Sequence, residues 1–156
     1  MSVIEFIVPA VPIALPRKRS RAFRDRLGSL RTQTYTPTAD KSNALKALIA
    51  ISLSQAYQGP PFTGPIGLDV DFVFERPQSK VWKTKAMPRD WKSTSPDLSN
   101  LVKLVEDALN KIAFVDDAQI VDGRNRKLIA NGLEQPHLRV RIYRIDYLAE
   151  ANEGES

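Results

Sequence analysis

Residues 66–75 alternate in character, with Ile66, Leu68, Val70, Phe72 and Phe74 on one side and Asp69, Asp71, Val73 and Glu75 on the other. A period of two residues predicts a strand with one apolar face. Val3–Val8 is a shorter β-rich run that Pro9 and Pro12 close. Across residues 41–57 the period changes, because Leu45, Leu48, Ile49 and Leu53 stand at helical spacing and Gly59-Pro60-Pro61 ends the pattern. Ser95-Pro96 opens a second helix reaching about Ile112, in which Leu101, Leu104, Val105, Ala108, Leu109 and Ile112 share one arc at about 100° per residue. Further strands are expected around 119–129 and over 137–147.

Two stretches lack any such period. Residues 15–38 are basic and hold Pro16, Gly28 and Pro37, which predicts a long irregular loop. Residues 76–92 form a second basic connector in which Pro77 and Pro88 argue against regular structure. The expected order is therefore β-α-β-α-β-β: an α/β (α+β) fold in one compact domain, with a mixed sheet packed against two main helices. The domain spans 1–149, and the polar, acidic residues 150–156 are a tail. No internal repeat is present.

Composition narrows the chemistry. The chain has 156 residues, the size of one domain, with 42% hydrophobic and 26% charged residues, as in a globular protein. It contains no cysteine, which removes disulfides, thiolate metal sites and thiol nucleophiles. His137 is the only histidine, so a histidine-rich metal site is excluded and carboxylates are left as metal ligands. No apolar run is long enough to span a bilayer and no signal pattern opens the chain, so no membrane role and a cytoplasmic location are expected. A net charge of +5 and a pI near 9.6 favour an anionic partner without naming it.

The densest chemical signal runs from Asp97 to Gln119. Asp97, Lys103, Asp107, Asp116 and Asp117 all fall within it. Asp97 can be read as a helix N-cap, since a carboxylate there accepts orphan amide hydrogens. Helical phase instead carries Asp97 into the apolar arc, aimed at the sheet. Asn100, Lys103 and Asp107 form a polar stripe beside that arc, and Lys103 with Asp107 is either a surface ion pair or a phosphate-binding lysine with its orienting acid. Asp116-Asp117 is either an ordinary turn or an acidic pair that approaches Asp97. Oxygen ligands alone point to Mg²⁺, with Mn²⁺ as a substitute. Asp69, Asp71 and Glu75 form a competing acidic row, which at strand spacing reads as a solvated face.

The sequence Pro96-Asp97-Leu98-Ser99-Asn100-Leu101-Val102-Lys103, then Asp107-Ala108-Leu109, then Asp116-Asp117-Ala118-Gln119 resembles the RusA family of Holliday junction resolvases, found in bacteria and their phages. The resemblance is strong from Pro96 to about Lys127 and weaker over the rest. It implies a homodimeric, Mg²⁺-dependent endodeoxyribonuclease that resolves four-way DNA junctions by paired nicks in recombination and repair. Carried across by residue, the resemblance implies that Asp97 and Asp117 are metal ligands, Asp116 an acidic neighbour and Lys103 an essential basic residue, with Ser99, Asn100, Asp107 and Lys127 in support. Ser99 departs from the family, standing where its second helix-start aspartate is expected. This leaves open a junction-binding protein with weak or no nuclease activity, or a nuclease acting on other branched DNA. Arg17, Lys18, Arg19, Arg21, Arg24, Lys80, Lys83 and Lys85 become expected phosphate contacts. Trp82, Trp91 and Phe23 either stack on opened bases or pack in the core.

Overall fold

The computed structural model describes residues 2–16, 19–35, 39–81 and 87–146; at 19–20, 34–35 and 39–40 it describes the backbone alone. Arg17, Lys18, Trp82, Lys83, Lys85 and the expected tail at 150–156 lie outside the described residues.

The alternating run forms β4 (Ile66–Phe74), the centre of a mixed sheet. β1 (Val3–Val8) and β8 (His137–Arg144) extend it on one side, all antiparallel. On the other side β7 (Asn125–Ile129) runs parallel to β4, and the two-residue β5 (Asp90–Trp91) pairs with β7. The short β6 (Ile120–Asp122) also pairs with β4, in parallel. One sheet face receives α1 (Ala39–Ala56) and α2 (Leu98–Leu109), which pack on each other. Ile4, Phe6 and Val8 of β1, alternate residues of β4, and Leu138, Val140 and Ile142 of β8 meet Leu45, Ile49, Leu53, Leu101, Leu104 and Val105 there in one core. Each such side chain contributes about 1.5–3 kcal/mol by leaving water, so the helices are held mainly by this apolar face.

The α+β class, the mixed sheet and the two helices match the sequence expectation, but several elements do not. Residues 15–38 are not an irregular loop: β2 (Arg19–Arg24) and β3 (Leu30–Tyr35) form an antiparallel hairpin, a two-stranded sheet of their own. Its strands are rich in polar and basic residues, and Ala22, Phe23, Leu30 and Tyr35 do not alternate along them, so no apolar period announced them. The connector at 76–92 contains a 3-10 turn (Gln78–Lys80) and β5.

The strand expected at 119–129 is broken in two at Gly123, where a Cβ would lie 2.1 Å from the Leu68 carbonyl oxygen. The element order among the described residues is thus β-β-β-α-β-β-α-β-β-β. α2 stops at Leu109, before the expected Ile112, and Lys111 turns the chain with a left-handed φ of 68°. β8 ends at Arg144, short of 147.

The face of β4 turned away from the helices is ionic. Arg126 grips Asp71 with two bonds of 2.7 and 2.6 Å, Arg141 reaches Asp69 at 3.3 Å, and Arg139 pairs with Glu5. Asp69 and Asp71 are therefore answered by guanidinium groups on the side opposite α2. The competing acidic row is an ion-paired sheet face.

Candidate active site

α2 places the chemistry. Its apolar arc buries Leu101, Leu104, Val105, Ala108 and Leu109, which leaves Ser99, Lys103 and Glu106 on the flank that borders β7. Together with Leu98, Val102 and Asn125 these residues line a shallow groove between the helix and the first residue of β7.

The start of α2 is clamped from the sheet. Lys127 donates to the carbonyl oxygens of Thr94 at 2.7 Å and Pro96 at 2.8 Å, across the cis Ser95-Pro96 bond. Two charge-assisted bonds to carbonyls on either side of Ser95 fix where the helix begins. Asn100 takes part through its backbone, its carbonyl accepting the Leu15 amide at 3.0 Å. The amino-terminal strap is thereby tied to the first turn of the helix.

Asp97 is the N-cap residue, with extended backbone and no side-chain cap bond. Its side chain is exposed. Helical phase had placed it inside the apolar arc; the extended φ and ψ at the cap end that phase one residue too early. The capping role is likewise unmade.

Asp116-Asp117 opens a 3-10 turn (Asp117–Gln119). The Asp116 carboxylate accepts from the Ala118 amide at 3.3 Å, and its own amide donates to Gln119 Oε1 at 2.8 Å. Gln119 Nε2 then donates to the carbonyl oxygens of Phe62 and Gly64, each at 2.9 Å. Gln119 is thus the latch that anchors the acidic turn to the chain leading into β4, a role that the sequence pattern alone did not show.

The turn brings Asp117 to the helix. Lys103 Nζ lies 3.6 Å from Asp117 Oδ2 and 4.0 Å from Asp107 Oδ1. Asp107 also reaches Lys46 of α1 at 3.9 Å, so it works partly as a tie between the two helices. Glu106, passed over in the sequence although it neighbours Asp107, stands at i+3 from Lys103 on the groove. Burial pushes its carboxyl up, with Asp117 and Asp107 adding to the rise and Lys103 opposing it.

Of the expected site residues, the structure therefore joins Lys103, Asp107 and Asp117, and sets Ser99 on the same groove. Asp97 stands six residues before Lys103, about 9 Å of helix rise.

The donor chemistry suits a hard divalent cation. The Asp116 carboxyl is held below its usual range first by a hydrogen bond with the Asp117 side chain and then by the Ala118 amide, and its oxygens are hard donors of the kind such an ion takes. Asn125 Oδ1, beside Ser99 on the groove, is buried with no hydrogen-bond partner among the described residues. No three acidic or histidine side chains among the described residues gather into a closed cage. That is compatible with Mg²⁺, which is commonly bound through one or two carboxylates, waters and substrate phosphates.

The described basic residues expected to contact DNA lie in two places outside α2. Arg21 and Arg24 lie on the hairpin, where Arg21 donates to Gln33 at 2.9 Å and Arg24 to the Gly28 carbonyl at 3.1 Å; Arg19 is at its base. Lys80 is paired with Asp90 at 3.3 Å. Trp91 is 63% exposed on β5 and Phe23 is 41% exposed on β2, so neither packs in the core. No helix among the described residues is long and apolar enough to cross a membrane.

Over 148 residues, 91% of this chain and 96% of its counterpart, the sequence is 32% identical to YqaN, an uncharacterized protein of Bacillus subtilis (strain 168). A stretch of 58 residues, 36% of this chain and 40% of the relative, is 38% identical to the crossover junction endodeoxyribonuclease rusA of Lactococcus phage r1t. Residues 9–143, which take in the hairpin, both helices and the main sheet apart from β1 and the last residue of β8, match the family described as endodeoxyribonuclease RusA. The chain belongs to that family.

Proposed function

We propose that this protein is a Mg²⁺-dependent, structure-selective endonuclease that nicks four-way DNA junctions, acting as a homodimer in recombination and repair. The observation that carries the reading is the meeting of Lys103 with Asp117 beside the groove of α2, in a chain of the RusA family.

Asp97 and Asp117 would hold the ion, with Asp116 next to it. When bound, Mg²⁺ supplies an activated water and neutralises charge on the phosphodiester. The chain's own residues do the rest. Lys103, beside Asp117 at the groove, would steady a phosphate oxygen by charge and hydrogen bonding. Asp107 keeps the lysine stem oriented from one turn below. Lys127 and Gln119 hold the helix start and the acidic turn in register, which is the positioning on which phosphodiester chemistry depends. Arg19, Arg21, Arg24 and Lys80, with Arg17, Lys18, Lys83, Lys85 and Trp82 beyond the described residues, supply contacts to the backbone and bases of the arms. Such binding is sequence-tolerant and steeply salt-dependent. A junction has near twofold symmetry and needs two cuts, which a twofold dimer with one site per subunit satisfies.

Ser99 favours a second reading. It lines the groove with Lys103 where the family resemblance expects an aspartate, and a hydroxyl is a weaker Mg²⁺ ligand than a carboxylate. The chain could then bind junctions and cut them slowly or not at all. Incubating a labelled four-way junction and a matched linear duplex with the protein, in Mg²⁺ and in EDTA, separates the two. Symmetric nicks confined to the junction and to Mg²⁺ are expected. Junction binding without nicks in either Mg²⁺ or Mn²⁺ favours the binding-only reading.

A further inference from the structure

The hairpin β2–β3 has no apolar reason to exist where it does. Among the described residues it pairs with no strand of the main sheet, and a two-stranded ribbon alone is marginally stable in water. Five arginines and one aspartate lie between Arg19 and Tyr35. Its tip is nevertheless tightly built. Asp25 Oδ1 accepts from the amides of Leu27 at 3.0 Å and Ser29 at 2.9 Å, Asp25 Oδ2 accepts from Arg31 Nε at 2.7 Å, and Gly28 takes a φ of 82°. The product of this bracing is an outward-facing Leu27, 90% exposed, with Leu30 at 69% beside it. Arg24 and Arg26 precede it in sequence. One exposed leucine is ordinary on a protein surface. A leucine braced at the end of a cationic ribbon, with an aromatic further down the same strand, is not explained that way.

The register sorts the faces. Arg21 stands opposite Gln33 and Phe23 opposite Arg31, so guanidinium groups and an exposed ring share one face. The ribbon is rooted at the active site, because Leu15, bonded to the carbonyl of Asn100, precedes Arg19 by only four residues. Four residues span at most about 14 Å, and each six-residue strand adds roughly 20 Å of reach.

We propose that this hairpin is a branch-point pin: Leu27 enters the opened base stack at the centre of branched DNA while Arg24 and Arg26 hold the flanking phosphates and Phe23 supports a neighbouring base. Apolar wedges set among arginines unstack base steps in this manner, and a two-stranded ribbon fits a major groove about 12 Å wide. The asymmetry of charge fixes the partner as polyanionic, and the root beside α2 makes it the same DNA that reaches Lys103. The inference rests on the junction reading given above.

The test uses the full-length protein in EDTA, a four-way junction with 2-aminopurine at its centre, a linear duplex, and anionic vesicles. The unmodified protein should raise 2-aminopurine fluorescence in the junction only. Leu27→Ser should abolish that rise and weaken junction affinity about tenfold, the scale of one lost stacking contact. Arg26→Ala should keep the rise and lower the salt slope of binding by about 1. A fluorescence rise that survives Leu27→Ser, or a junction bound in preference to duplex with no rise at all, overturns the pin. Vesicle binding that Leu27→Ser abolishes, without junction binding, assigns the tip to membranes and overturns it too. Equal affinity of the unmodified protein for junction and duplex overturns the junction reading itself.

Discussion

Lys103 Nζ and Asp117 Oδ2 stand 3.6 Å apart, joining the middle of α2 to the 3-10 turn after it. The lysine side chain is 50% exposed and the aspartate 33%. Ion pairs this open contribute about 0–1 kcal/mol, so stability does not account for the arrangement. Lys103→Ala should therefore lower unfolding free energy by less than about 1 kcal/mol while slowing junction nicking by about 100–1,000-fold. Urea titration and a single-turnover nicking assay on the same preparation check both halves.

Lys127 is a positioning residue of a different kind. Its ammonium holds the carbonyl oxygens of Thr94 and Pro96, and hydrogen bonds to charged groups are worth about 1.5–3 kcal/mol each when buried, less where solvent reaches them. Lys127→Met should destabilise the fold by roughly 1–2 kcal/mol and release the start of α2. Faster amide hydrogen exchange over 98–101, with exchange in α1 unchanged, is the expected signature.

Ser99→Asp should tighten Mn²⁺ binding, measured by the loss of the free-ion electron paramagnetic resonance signal, and raise the nicking rate in proportion. Unaltered affinity would remove Ser99 from the neighbourhood of the ion.

Far from the site, Glu134 bonds Arg89 through Nε at 2.8 Å and accepts the Asn131 amide at 3.0 Å. The Arg89 guanidinium, aided by the Asn131 amide, brings its carboxyl down to about 2 from 4.5. A carboxyl depressed in the folded state contributes stability that is fully present above its unfolded value and is lost as pH falls toward the folded one. The window here is pH 4.5 to about 2. Glu134→Gln should be less stable than the unmodified protein at pH 7, and the difference should shrink across that window in denaturant titrations.

The sequence exposed those elements whose side chains separate into an apolar and a polar side. The alternation at Ile66–Phe74 and the arc of Leu101, Leu104, Val105 and Leu109 are direct prints of burial, and both reappear in the core. The hairpin β2–β3 was illegible because its described side chains bury little and its few apolar residues follow no period of two. β5 is two residues long and carries no period at all. The break at Gly123 comes from the closeness of a neighbouring backbone, which composition does not encode. Within the site, spacing along one helix was enough to group Lys103 with Asp107. Asp117 joins them through Gln119's bonds to Phe62 and Gly64, a long-range contact that only the fold supplies. Glu106 escaped notice because its signal is burial beside like charges.

The central claim is that the carboxylates at the start of α2 and in the acidic turn carry out metal-dependent cutting of branched DNA. The most direct measurement is nicking of a labelled four-way junction in Mg²⁺ by the unmodified protein, by Asp97→Asn and by Asp117→Asn, with folding of each verified by thermal melting. Paired nicks by the unmodified protein and their loss in both folded variants is the predicted result. Paired nicks that persist in both variants would contradict the account.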